Sequence, residues 1–181
     1  MALEIMHDSP IDREVYDRLF QEALPYISEE RLRVGEEELR ESMWRNLKAH
    51  ETTERMYIQD GEVVGVSCVR PLGLPDGSTG MWYMHPTYGQ TSLGSRAFFY
   101  SEDFQKVGKN WMDANGYDKV IVIHNPGSAA ALAVEAIWGN SWEGRRYFNK
   151  PEVLTIDEAF GTEHTLDLPS TMRVFIIEKA S

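Results

Sequence analysis

The order of hydrophobic and polar positions changes period several times along this chain, and the clearest stretch lies past its middle. Val120-Ile121-Val122-Ile123 places four β-branched apolar residues in succession, the pattern of an inner strand buried on both faces. Asn125-Pro126-Gly127 breaks that strand. Ser128 then suits the N-cap of a helix over Ala129–Trp138, and Gly139-Asn140 suits its C-cap. A strand whose carboxyl end opens onto a helix N-terminus is a usual place for ligands in α/β folds, and His124 and Asn125 stand at that end.

Upstream, Leu3–Met6 alternates as a short strand, and Asp8-Ser9-Pro10 is a helix start signal. Ile11, Val15, Leu19, Phe20, Ala23 and Leu24 recur at helical spacing up to Pro25. A second helix is expected from about Glu36 to His50, with Leu39, Met43, Trp44 and Leu47 on one face and Glu36-Glu37-Glu38 at its positive end. Arg55–Ile58 and Val63–Val69 flank Asp60-Gly61 as a hairpin. A Gly- and Pro-rich loop over 71–80 follows, then a strand over Met81–Pro86 with Met81, Tyr83 and His85 on one face. Pro86 is expected to end it or to lie on a free edge. A helix from about Ala97 to Asn115 carries Phe98, Phe99, Phe104, Val107, Trp111 and Met112 on its apolar side, and Gly116 stops it. Residues 142–148 suggest a strand, 149–170 a long connection with a helical turn near Ile156–Phe160, and Arg173–Lys179 a final strand. The sum is an α/β sandwich built on a mixed sheet, in one domain spanning 1–181.

Composition narrows the partners. With 29 acidic against 18 basic residues the chain carries a formal charge of -11, which repels a phosphate backbone and disfavours direct nucleic-acid binding. A cationic amine substrate or protein partner fits the charge better, although an acidic surface also serves solubility. Cys68 is the single cysteine, so no intrachain disulfide and no cysteine-rich zinc site can form, and its apolar setting marks it as a buried thiol. No stretch approaches the apolar length of a membrane span and no leader pattern opens the chain, so a soluble, cytoplasmic protein without membrane contact is expected. His-Glu-x-x-His, Walker and Gly-x-Ser-x-Gly patterns are missing, which argues against metal, nucleotide and serine hydrolases; no metal site is expected.

The succession of elements resembles the GNAT superfamily of N-acetyltransferases over about Leu3 to Lys179, and most of all over Met81–Gly139. The resemblance implies a GNAT-like, mixed but mainly antiparallel central sheet flanked by helices, with acetyl-CoA as cofactor; the sequence leaves the oligomeric state open, a homodimer included. It implies that Trp82–His85 is the fourth strand and that Gln90–Arg96 is the pyrophosphate loop, with the amides from Leu93 through Gly94, Ser95 and Arg96 to Ala97 around the phosphates. Asn125 and Ser128 then flank the pantetheine arm, and a backbone N–H near Met84 or His85 polarises the thioester. The loop is degenerate. With Gly94 as its first glycine, Thr91 stands at a basic or amide position and the bulky Arg96 at a small one. The tyrosine that often serves as general acid in the last helix has no counterpart, because Leu132 and alanines occupy that region.

Amine acetylation needs a proton acceptor, an oxyanion donor and a source of a proton for the thiolate. His85 and His124, at strand ends, fit the first role, as histidine titrates near neutral pH. Either also fits a strand-end histidine satisfied by backbone. Tyr83, Tyr88 and Tyr147 fit a proton donor, and packing is the competing role for each. Two readings follow: an acetyl-CoA-dependent N-acetyltransferase acting on an amine of a small molecule or protein, or a catalytically inactive GNAT-like protein serving as a phage virion or host-interaction component.

Overall fold

A computed structural model describes residues 4–27, 29–88 and 101–181. A seven-stranded sheet has the order β1-β2-β3-β4-β5-β9-β8, formed by Glu4–His7, Thr53–Gln59, Glu62–Gly73, Thr79–Tyr88, Lys119–His124, Arg173–Glu178 and Glu152–Thr155 respectively. The remaining strands, β6 (Ser141–Trp142) and β7 (Arg145–Arg146), form a separate hairpin. The helices are α1 (Arg13–Ala23), α2 (Glu29–Leu32), α3 (Glu36–Leu47), α4 (Glu102–Asn115), α5 (Ala129–Ile137) and α6 (Ile156–Phe160). β1–β2, β2–β3, β5–β9 and β8–β9 pair antiparallel, while β4 and β5 run parallel. This is the mixed, mainly antiparallel α/β architecture expected from the element order. The described chain gathers into two compact units, one holding residues up to Arg70 with the end of β4 from Met84, the other holding Pro71–Tyr83 and the residues from Ser101 onward.

In the first unit, α1 begins at Arg13 rather than directly after Pro10. The Asp12 carboxylate accepts the Val15 N–H at 2.9 Å, while Asp8 turns the chain in the left-handed region at φ 55°. Ile11, Tyr16, Leu19 and Phe20 meet Leu39 and Leu47 of α3 and Val66 and Cys68 of β3 in an apolar core, with Met56 and Met84 partly buried against it. Burial pushes the Cys68 thiol up to about 12, which leaves it protonated and inert at neutral pH. Glu54 ties three elements together: its carboxylate accepts the Ile11 N–H at 2.7 Å and the Lys48 ammonium at 2.8 Å, and that ammonium also donates to the Ile11 carbonyl at 2.6 Å. Glu54→Gln keeps the shape and weakens both charge-assisted bonds, so it should cost about 1–2 kcal/mol in urea unfolding. An unchanged midpoint would refute this assignment.

The opposite face of this part of the sheet carries buried polar side chains beside Tyr57 and Val69. His7, Arg55 and Ser67 stand in one cross-strand row, Arg55 and Ser67 are buried, and the Tyr57 and Ser67 hydroxyls share a 2.9 Å hydrogen bond. Burial, followed by the Arg55 charge, lowers His7 to about 4. The unfolded chain therefore takes up a proton near pH 6.5 that the folded chain refuses until about pH 4. Stability tied to His7 is intact above pH 6.5 and drains away as pH falls towards 4. After discounting for partial exposure, the effect is on the order of 1 kcal/mol. The difference in unfolding free energy between wild type and His7→Gln should change across that window; a constant difference would contradict it.

In the second unit, β5 registers with β9 along its whole length, from Lys119↔Glu178 to His124↔Arg173. Ile121 lies in a cluster with Leu74, Ile156, Ala159 and Val174, and Ile123 packs against it. The turn between β3 and β4 is held by Asp76, which accepts from the Ser78 N–H at 2.9 Å and from Lys119 at 3.1 Å; the Ser78 bonds and then Lys119 bring its carboxyl down to about 2. Four expectations need correction. β3 runs on to Gly73, which shortens the loop expected over 71–80. Of the two places expected for Pro86 the strand end is overturned, because β4 continues to Tyr88; the proline lies beyond Trp82, the last residue registered with β5, where its missing N–H removes none of those bonds. The connection over 149–170 contains a strand, β8, paired with β9 from Glu152↔Ile176 to Thr155↔Arg173. The strand sought over 142–148 is a short hairpin, turned by Glu143 and Gly144, both at positive φ.

Candidate functional site

The functional candidates that can be placed together lie on β5 and the turn after it. β4 and β5 meet through Met81↔Val120 and Trp82↔Ile121. Since side chains alternate along a strand, and Ile121 and Ile123 face the cluster with α6, Val120, Val122 and His124 face the other way. His124 is half-buried and lies across from Arg173. The chain then turns through half-buried Asn125, whose carbonyl accepts the Ser128 N–H at 3.3 Å. Ser128 is extended at φ -66° and ψ 155°, and its hydroxyl accepts the Ala131 N–H at 3.1 Å, so the expected cap of α5 is present. That hydroxyl is committed to the helix, which makes Ser128 an orienting residue.

α5 ends at Ile137, two residues short of the glycine expected to cap it. Trp138 is extended and packs edge-on to Phe104 and Phe148, with ring centroids 5.8 and 4.7 Å away. Leu132, where the family's tyrosine would fall, is 58% exposed. Tyr83 lies half-buried on β4 within the same unit as His124. Met84 belongs to the other unit, where its side chain packs against the α1–α3 core. Of His85 only the backbone, within β4, is described; Tyr88 is likewise known only as the last residue of that strand. Leu93, Gly94, Ser95, Arg96 and Ala97 lie outside the described residues, as does the start expected for the long helix.

The long helix itself, α4, starts at Glu102, five residues after the start expected near Ala97, and has a closed amino end. The Ser101 hydroxyl accepts the Phe104 N–H at 3.3 Å, and Glu102 and Asp103 bring carboxylates to the first turn. These groups already complement the positive end of the macrodipole, so an anion placed at this turn would meet like charge. Tyr147, a candidate proton donor, gives its hydroxyl proton to Glu102 at 2.7 Å, a bond that raises its phenol above the ordinary range. It therefore serves to fasten the β6–β7 hairpin to α4. One residue that sequence reasoning passed over is Gln105 of α4. It is fully buried, and its Nε2 donates to the Ile137 carbonyl at 2.6 Å. Its sole signal was an amide among Phe104, Val107 and Trp111. Among the described residues, no group of three or more His, Cys, Asp or Glu side chains is placed to hold a metal ion, and no helix is long and apolar enough to cross a membrane.

No family model matches the sequence, and no curated relative does. Solved structures do resemble the chain. An aminoglycoside 6'-acetyltransferase type Ii superposes with a TM-score of 0.57 at 11% identity, covering 97% of this chain and 96% of its own. A GNAT-family acetyltransferase from Staphylococcus aureus Mu50 gives 0.56 at 11% identity over 99% and 100%. A GNAT-family acetyltransferase from Elizabethkingia anophelis, solved with acetyl-CoA bound, gives 0.52 at 10% identity over 98% of both chains. At such identities the likeness speaks for the fold, and it spans the whole chain: this protein has the fold of the GNAT acetyltransferases.

Proposed function

We propose that the chain is an acetyl-CoA-dependent N-acetyltransferase acting on an amine of a small molecule or protein. The observation that carries this reading is the parallel β4–β5 pair, set among antiparallel registers, with the polar end of β5 at His124-Asn125 opening onto a capped helix. Ligands of open α/β sheets collect at the carboxyl ends of such strands. The full-length likeness to acetyltransferases, one of them holding acetyl-CoA, supports the same reading.

Bound acetyl-CoA supplies an acetyl thioester, and the remaining tasks fall to the protein. His124, or His85 on β4, would accept the proton that the amine gives up. A backbone N–H near Met84 or His85 would be the donor to the thioester carbonyl, and Tyr83 would supply the proton that the thiolate needs. Asn125 and the turn fixed by Ser128 would meet the pantetheine arm, while the amides from Leu93 to Ala97, with Arg96, would hold the phosphates. The excess of 29 acidic over 18 basic residues favours a cationic acceptor such as a lysine side chain or a polyamine, in a cytoplasmic setting.

The second reading is a catalytically inactive relative working as a phage virion or host-interaction component. The closed amino end of α4 and the exposed Leu132 favour it. Release of free thiol from acetyl-CoA, followed with spermidine and with a lysine-rich peptide, separates the two. The proposal expects turnover on the order of 1 per second with at least one amine. Release no faster than in buffer for both amines would leave the second reading.

A further inference from the structure

A glutamine inside an apolar layer needs a reason. Gln105 has no exposed surface, and the rings of Phe104, Trp138 and Phe148 form a contiguous chain beside its contact. Its Nε2 donates to the carbonyl of Ile137, the last residue of α5, one of the carbonyls that a helix end leaves without an intrahelical partner. Its Oε1 is buried and receives no hydrogen bond from the described residues. Leaving a buried acceptor unbonded is costly, and an apolar side chain of the same length would fill the volume without that cost. The amide offers what an apolar side chain lacks: a directional bond that fixes the end of α5 to one turn of α4.

α5 is held at its other end by the Ser128 cap, directly after Asn125 and His124. A nine-residue helix is a rigid rod about 13 Å long, so tilting one end displaces the other. We infer that Gln105 is a positioning residue that, by gripping the Ile137 carbonyl, sets the orientation of α5 and with it the Asn125–Ser128 turn. The inference rests on the proposed acetyltransferase reading only for its consequence, which is a cofactor arm met by a turn in one fixed place.

Two variants test it, Gln105→Leu and Gln105→Met, each filling the volume without a donor. In 15N-labelled protein the expected result is that backbone amide signals of Asn125, Gly127 and Ser128 shift along with those of Val134–Trp138. The KM for acetyl-CoA should rise about tenfold while kcat stays within about threefold. A filler role would move only the signals around Val134–Trp138 and leave KM alone, and that outcome in whichever variant folds overturns the inference. The amide signals decide the matter even if the wild type turns nothing over, so failure of the acetyltransferase reading and failure of this one are told apart.

Discussion

Gly139→Ala should lower the melting temperature by about 10 °C. Gly139 lies at φ 85°, and a Cβ there would stand 2.8 Å from the Lys150 Cα and 2.9 Å from the Lys150 nitrogen. Alanine in the left-handed region costs about 1 kcal/mol, and a methyl group driven into backbone adds 1–3 kcal/mol, for a sum near 3 kcal/mol. In a chain of 181 residues each kcal/mol is worth about 2–4 °C. Lys150 has little room to yield. Asn149 before it donates its N–H to the Glu178 carbonyl at 2.9 Å, Phe148 bridges to Lys179, and β8 begins at Glu152. A melting curve that superposes on the wild type would show that this crossing is looser than described.

The second large effect concerns chemistry. His124→Ala should lower turnover at least tenfold, about 1.4 kcal/mol in the barrier, if its ring takes the proton of the attacking amine. The pH profile of kcat/KM should lose the limb set by a histidine, which separates loss of a base from loss of packing at the end of β5. His85→Ala is the companion variant. A profile and rate unchanged in His124→Ala but altered in His85→Ala would move the role to β4, and rates unchanged in both would remove histidine from the mechanism.

Much of the framework was legible wherever local chemistry and burial agree. Val120–Ile123 is apolar and β-branched at every position, is closed by Asn125-Pro126-Gly127, and is the strand between two others, so pattern and burial agree. Asp60-Gly61 marked the first hairpin, and the structure places both residues at positive φ. Ser128 was readable as a cap because short-range chemistry alone decides it. β8 was not readable. It is a four-residue edge strand whose existence depends on pairing with β9, a partner that no local pattern in Glu152–Thr155 announces. Pro86 left two alternatives open for a related reason, since a proline is forbidden only where its N–H would have been bonded, and that depends on neighbours invisible to the sequence. The candidate site divides along the same line. His124, Asn125 and Ser128 follow from the strand–turn–helix pattern, whereas Gln105 acts across a contact between two helices that no sequence spacing reveals.

Titration of acetyl-CoA into the protein by calorimetry tests the functional reading most directly. Binding with one site per chain and a Kd on the order of 10 μM is the predicted result. A flat trace with the ligand at about 1 mM, from protein whose melting curve shows it folded, would contradict it.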